Sequence, residues 1–143
     1  MRTKICGTSL SSYSGTIIAV IPAALRAVLK SVTKYTDNTG NSSAASAVTA
    51  TTDYFFLLSE YEVFGTISRG NPNESNKQAQ YSYYSAGNSK VKYNHSATST
   101  AVLWWLRSLY ASSSTRFVNV NTDGTVYASS AYYSNGFAPG FCV

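Results

Sequence analysis

The amino-acid sequence predicts an α+β fold, mainly antiparallel sheet with two helices and long loops, and three stretches carry that expectation. The C-terminal stretch opens with the apolar block Trp104-Trp105-Leu106, passes through a middle rich in Ser, Thr, Tyr and Asn, and closes on Gly136-Phe137-Ala138-Pro139-Gly140-Phe141. It reads as a buried strand, an exposed hairpin and a final strand that returns to the core. Upstream, Leu25, Val28, Leu29 and Val32 recur at the i, i+3, i+4, i+7 spacing of one helix face. Between the two, Tyr54-Phe55-Phe56-Leu57-Leu58 is a short unbroken apolar run, the pattern of a buried strand.

Taken in order, an opening strand is expected around Ile5-Cys6-Gly7. Pro22 suits the first position of a helix, where its missing N–H costs nothing. Arg26, Lys30 and Lys34 then fall toward the C-terminal end, where the helix dipole favours cations. Tyr35 to Asp53 has no apolar period and reads as a long surface connection. Ser59 and Glu62 have the spacing of a capping box, so a short helical turn is expected as far as Gly65. A loop marked by Gly70 and Asn71-Pro72-Asn73 follows. A second, polar helix over 75–86 then carries Tyr81 and Tyr84 on one side and stops at Gly87.

Val91 to Asn94 reads as a brief strand and Ala101 to Ser108 as the central one. The adjacent tryptophans of that strand point to opposite faces, since side chains alternate with a period of two. Arg107, at the end of the apolar block, reads as a snorkelling or hydrogen-bonding scaffold residue. Thr122-Asp123-Gly124 is a hairpin signal, because the turn needs a positive φ that Gly tolerates, and it joins strands over 116–121 and 125–130. Pro139 has no N–H to give a ladder, so it is expected at an edge or a bulge.

At 143 residues the chain is long enough for one domain with its own core, and a single unit over 1–143 is expected. Charged residues make up 12% of it, against roughly 25% in an average domain, so surface polarity falls to Ser, Thr, Asn and Tyr. The formal net charge is +5, but Lys and Arg are scattered rather than clustered, so no groove tracking phosphates and no nucleic-acid partner is expected. The longest apolar run, Ile17 to Leu25, is broken by Pro22 and falls far short of the roughly 20 residues of a membrane span, so no membrane insertion is expected.

One histidine and two distant cysteines do not make a four-ligand zinc site, and the carboxylates are too few for a calcium site. No metal and no cofactor is expected. Catalysis is not expected either. His95 has no partner nearby in sequence for general-base work. Each of the acidic residues, Asp37, Asp53, Glu60, Glu62, Glu74 and Asp123, has a structural task or a loop position.

Several blocks together resemble a family of lectin-like domains from gut bacteria and their phages. They are Trp104-Trp105-Leu106-Arg107-Ser108, the Asp123-Gly124 turn and the terminal Gly136-Phe137-Ala138-Pro139-Gly140-Phe141. Upstream, Ile21-Pro22-Ala23-Ala24-Leu25, Phe56-Leu57-Leu58-Ser59-Glu60 and Ala86-Gly87-Asn88-Ser89-Lys90 extend the resemblance over most of the chain. Leu109 departs from it, standing where the family often has Pro. The resemblance implies a C-type-lectin-like fold and a likeness to the variable proteins of diversity-generating retroelements, whose ligand-contacting codons near the C-terminus are rewritten. It also implies neighbouring first and last strands, which puts a Cys6–Cys142 disulfide within reach. Two small buried apolar cysteines are the alternative reading.

The segment from Tyr110 to Asn135 has the alphabet of an adaptable binding surface, with Tyr for large contacts at low entropy cost and Ser and Asn for hydrogen bonding. Its candidate ligand-contacting residues are Tyr110, Ser113, Ser114, Arg116, Asn119, Asn121, Tyr127, Ser129, Tyr132, Tyr133 and Asn135. It also lies where the variable proteins place their diversified residues. The expected function is therefore receptor recognition, with a protein or glycan on a bacterial surface as partner, by a protein located on a virion or cell surface. The alternative is an architectural, oligomerising module of a phage tail or cell-surface protein.

Overall fold

The structure, a computed structural model, describes residues 17–143. The strand expected at Ile5 and the Cys6 end of the disulfide lie outside those residues.

The observed architecture is mixed α and β, with mostly antiparallel strands and a few short helices. A four-residue helix α1 (Ala23–Arg26) leads into a hairpin of β1 (Val32–Asp37) and β2 (Val48–Asp53), and then into β3 (Phe55–Leu57). The helix α2 (Glu60–Phe64), a 3-10 turn (Pro72–Lys77) and α3 (Ser82–Ser85) follow. A second hairpin comprises β4 (Lys92–Asn94) and β5 (Ala97–Val102).

The C-terminal part adds β6 (Trp104–Leu109), β7 (Arg116–Val120), β8 (Val126–Ser130), β9 (Gly136–Phe137) and β10 (Pro139–Phe141). The main sheet has the order β8-β7-β6-β9, antiparallel except where β9 runs parallel to β6. The strand β10 leaves that sheet and pairs with β3, so Pro139 sits in a two-stranded ladder where each strand is an edge.

Local chemistry explains the elements that the sequence announced. Ser59 accepts from the Glu62 backbone N–H at 3.1 Å, while Glu62 accepts from the Ser59 N–H at 2.9 Å, closing the expected capping box. Gly65 ends α2 at φ +69, a left-handed conformation that other side chains strain to adopt. The Tyr54–Leu58 run contains β3, whose three residues are all buried. Trp104, Leu106, Val118 and Val120 join Val63 and Tyr84 in the principal core, and Ile18, Leu29 and Phe55 form a second cluster.

Five expectations need correction. The helix expected from Pro22 through Val32 stops at Arg26. The guanidinium of Arg26 folds back onto the carbonyls of Ile21 (2.6 Å) and Ala19 (3.2 Å), Val28 is exposed, and Val32 opens β1. Tyr35 to Asp53 is not a structureless connection, because it holds most of the first hairpin, paired from Val32↔Asp53 to Asp37↔Val48. Its β-branched Val and Thr residues favour extended backbone even though they show no apolar alternation.

The polar helix expected over 75–86 is split into the 3-10 turn and α3. Gln78 between them is extended, with its amide donating to the Tyr35 carbonyl at 3.1 Å. Tyr84 is buried while Tyr81 lies at the rim, although Gly87 does stop the segment at φ +83. Finally, the central strand breaks at Leu103 into β5 and β6, and Phe137 and Phe141 are half-exposed rather than enclosed. No helix among the described residues is long and apolar enough to cross a membrane.

What holds the long loops is a set of buried carboxylates. Glu60 accepts from the backbone N–H groups of Ser68 (2.7 Å), Arg69 (3.1 Å) and Gly70 (2.6 Å). Asp37 accepts from those of Thr39 (2.8 Å) and Gly40 (3.1 Å) and from the Asn71 amide (3.1 Å). Glu74 accepts from the Asp37 N–H (3.0 Å) and the Ser108 hydroxyl (2.6 Å), tying β1 to β6.

Glu62 takes Lys34 Nζ at 2.8 Å and Arg107 Nη1 at 2.5 Å. Arg107 in turn donates to Thr36 Oγ1 (2.9 Å), the Leu57 carbonyl (2.8 Å) and Gln78 Oε1. Burial opposes the ionisation of Glu62, but Arg107 and Lys34 outweigh it and hold its carboxyl below the ordinary range. Burial likewise opposes ionisation of Asp37, and its hydrogen bonds to Thr39, Asn71 and Gly40 lower it. At Glu74, burial wins and raises the carboxyl.

These shifts have opposite consequences for stability against pH. Asp37 and Glu62 contribute stability that is present at neutral pH and is lost as pH falls through their lowered folded values. Glu74 contributes stability that is present below its unfolded value and is lost as pH rises through its raised folded value. Urea unfolding of Glu74→Gln should therefore gain on the parent chain as pH rises from about 4 to about 7. A difference between the two proteins that is constant over that range would contradict the assignment.

Candidate functional site

The β7–β8 hairpin is built by its turn. The Asp123 carboxylate accepts from the Thr125 N–H (2.9 Å) and hydroxyl (2.6 Å), Gly124 takes φ +84, and the Gly124 N–H reaches the Asn121 carbonyl at 2.9 Å. That turn fixes the register Arg116↔Ser130, Phe117↔Ser129, Val118↔Ala128 and Asn119↔Tyr127. Val118, Val120 and Ala128 are buried, with Val118 and Val120 facing the core beside Trp104. On the opposite face, one row crosses the whole sheet as Tyr127, Asn119, Trp105 and Phe137, because Trp105 pairs with both Asn119 and Phe137. The Trp105 and Phe117 rings meet edge to face at 6.3 Å on that side.

The eleven candidate residues divide into groups. Tyr127, Tyr132 and Tyr133 are exposed, at 46%, 79% and 54% respectively, and Arg116 is exposed with them. The rings of Tyr132 and Tyr133 lie 4.5 Å apart. Hydrogen bonding to Tyr132 raises the Tyr133 hydroxyl above the ordinary phenol, electrostatic effects of Tyr132 and Tyr127 add to it, and Arg116 pulls the other way. Tyr133 is thus close enough to sense the other three side chains. The Tyr133 N–H bonds the Ser130 carbonyl (3.1 Å) and the Ala131 N–H bonds the Thr115 carbonyl (3.0 Å), which ties the tyrosine pair to the end of the hairpin.

Tyr110 and Ser113 are half-buried and Ser114 is exposed, all on the turn that the Tyr110 N–H closes onto the Arg116 carbonyl at 3.1 Å. Gly40 lies against this turn, where a Cβ would stand 3.2 Å from Ser114 Cα.

The remaining candidates lie outside that cluster. Asn119 is fully enclosed and Ser129 nearly so, and the Asn119 amide nitrogen donates to the Ser129 hydroxyl at 2.8 Å. The placement of Asn119 in an exposed patch is therefore corrected. It pairs between Trp105 and Tyr127 in the middle of a sheet, where neighbours on both sides cover it. Asn121 is committed to the turn, its Oδ1 accepting from the Thr122 N–H at 2.9 Å. Asn135 belongs to a different feature, a cleft of about 630 Å³ between the β4–β5 hairpin and β9, which Tyr93, His95 and Phe137 also line. Sequence reasoning missed Tyr93 and Phe137 because lone aromatics in short strands carry no local mark of exposure.

A smaller cavity of about 330 Å³ is lined by Lys34, Glu62, Lys77, Tyr81 and Arg107, among others. Lys34 gives hydrogen bonds to Glu62 and to the Tyr81 hydroxyl (2.9 Å) and stands 4.1 Å above the Phe56 ring, and Arg107 is engaged as described above. Both cations are occupied by the scaffold. Among the described residues, no three His, Cys, Asp or Glu side chains gather where they would hold a metal ion.

The tyrosine cluster makes a prediction of its own. In Tyr132→Phe, ring-labelled Tyr133 followed by NMR from about pH 9 to 12 should titrate closer to the ordinary phenol. An unchanged midpoint would mean that the two hydroxyls do not interact.

Compared with known proteins, residues 11–143 match the model of a family described as a domain of unknown function (DUF6273). No curated protein and no solved structure matches the chain.

Proposed function

The chain belongs to the DUF6273 family, and from its surface we propose that it is a ligand-recognition domain, not an enzyme. Arg116, Tyr127, Tyr132 and Tyr133 contact a protein or glycan on a bacterial surface. The observation that carries this reading is the cluster itself: three tyrosines and an arginine exposed together on a hairpin end whose backbone is hydrogen-bonded on both sides. Tyr and Arg are the residues that most often dominate binding energy, and a rigid support lowers the entropy cost of using them. Tyr110, Ser113 and Ser114 extend the surface along the neighbouring turn, while Asn119 and Ser129 support it from beneath.

The proposal includes a C-type-lectin-like arrangement and a kinship with the variable proteins of diversity-generating retroelements, on a virion or cell surface. Mostly antiparallel strands, short helices and long internally bonded loops support the first part. A near-repeat of the 3′ coding end beside a reverse-transcriptase gene would support the second.

The test is the double substitution Tyr132→Ser with Tyr133→Ser. Stability should stay within about 1 kcal/mol, as for exposed positions, while binding of the labelled chain to intact bacterial cells should weaken by about tenfold or more. Unchanged cell binding sinks the proposal. A change of molar mass by light scattering, without a change in binding, would point to the architectural alternative.

A further inference from the structure

The cleft between the β4–β5 hairpin and β9 lies apart from the tyrosine cluster and has a lining of its own. At about 630 Å³ it is within the range of roughly 300–1,000 Å³ that holds small molecules. Two aromatic residues of its lining, Tyr93 and Phe137, are exposed, at 56% and 45%. Trp104 contributes to the interior, its position fixed by its indole N–H bonding the Lys90 carbonyl at 2.9 Å.

The polar side chains there, Thr122 and Ser134 among them, both donate and accept, except that Lys92 only donates. Lys92 is present, its ammonium 5.8 Å from the centre of the Trp104 ring, with Asn94, His95 and Asn135. The described residues that line the cleft include no carboxylate. The Asn135 amide nitrogen is shielded from water and has no hydrogen-bond partner among the described residues. An unpaired buried donor is costly, and an acceptor that reaches it from the cleft relieves that cost.

A fitting ligand therefore has an apolar face for the aromatic rings and an oxygen acceptor for the Asn135 amide. Among neutral sugars, an N-acetylated hexose supplies both: a ring face of C–H groups, and an acetamido carbonyl, which is a stronger acceptor than a hydroxyl. We propose that this cleft binds N-acetylhexosamine units, through Tyr93 and Phe137 on its faces and Asn135 on its acetamido group, without a metal ion. The site is independent of the tyrosine cluster, so the two proposals stand or fall separately.

Saturation-transfer NMR on the full chain in EDTA, with N,N′-diacetylchitobiose as probe, tests it. Transfer to the acetamido methyl protons is expected, with titration giving a Kd that rises about tenfold in Tyr93→Ala and in Phe137→Ala. Asn135→Ala should weaken the probe while cellobiose, which lacks the acetamido group, binds the parent chain more weakly than chitobiose does. Tyr132→Ser with Tyr133→Ser should leave all of this unchanged. Absence of transfer at millimolar probe, transfer abolished by EDTA, or transfer indifferent to Tyr93→Ala and Phe137→Ala overturns the proposal. The two aromatics are exposed, so loss of fold does not confuse the result, and the melting temperature of each variant verifies it.

Discussion

The buried pair of Glu62 and Arg107 is the constraint on which most of the structure depends. A single guanidinium joins β1 through Thr36, β3 through Leu57, the start of α2 through Glu62, and the extended linker through Gln78, all from its seat on β6. Taking two charges out of water costs several kcal/mol for each ion, so such a pair persists only when its remaining donors and acceptors are also satisfied. Here they are. Glu62 has Lys34 on its other oxygen and the Ser59 N–H beside it, and the Arg107 donors named above end on protein acceptors. The capping box of α2 and the ion pair thus share one carboxylate, so a local helix signal and a long-range contact cannot be separated.

The same logic extends to the other acids. Of six acidic residues, Asp37, Asp53, Glu60, Glu62 and Glu74 are buried and Asp123 is exposed in its turn. A chain with few charges thus places its negative ones inside, where they gather backbone N–H groups of loops that have no ladder partners. Long segments such as 66–71 become ordered without regular structure, because Glu60 supplies the acceptors that a strand neighbour would otherwise give. The positive side chains among the described residues are half-buried or exposed, and much of the surface's remaining polarity comes from Ser, Thr, Asn and Tyr. Tyr132 and Tyr133 stand on that surface, held by the end of a sheet whose centre is anchored by Trp104, Leu106, Val118 and Val120.

How much of this was legible in the sequence follows from the range of each interaction. The capping box at Ser59 and Glu62, the Gly65 and Gly87 stops and the Asp123-Gly124 turn depend on residues within a few positions of one another, and all are present. The helix expected through Val32 failed because Lys30 bridges Cys142 and Val32 opens the strand that pairs with Val48–Asp53, and these distant partners outweighed local periodicity. Gln78 looked like a helical residue until Tyr35 and Arg107, both distant in sequence, claimed its amide. At the candidate site, composition identified the exposed tyrosines. It did not separate them from Asn119, whose burial follows from strand pairing on both sides rather than from its own identity. The cleft at Tyr93 and Phe137 arises where a hairpin meets the end of another sheet, a juxtaposition that no stretch of sequence contains.

A double-mutant cycle on Glu62→Gln and Arg107→Met, read by urea unfolding at neutral pH, tests the central claim most directly. The account predicts that Arg107→Met alone costs about 3–5 kcal/mol, because it strips a buried carboxylate of its main partner. The coupling between the two substitutions should be about 2 kcal/mol or more, since each removes the reason for the other. Additive effects, with coupling below about 0.5 kcal/mol, would mean that the pair does not organise the fold.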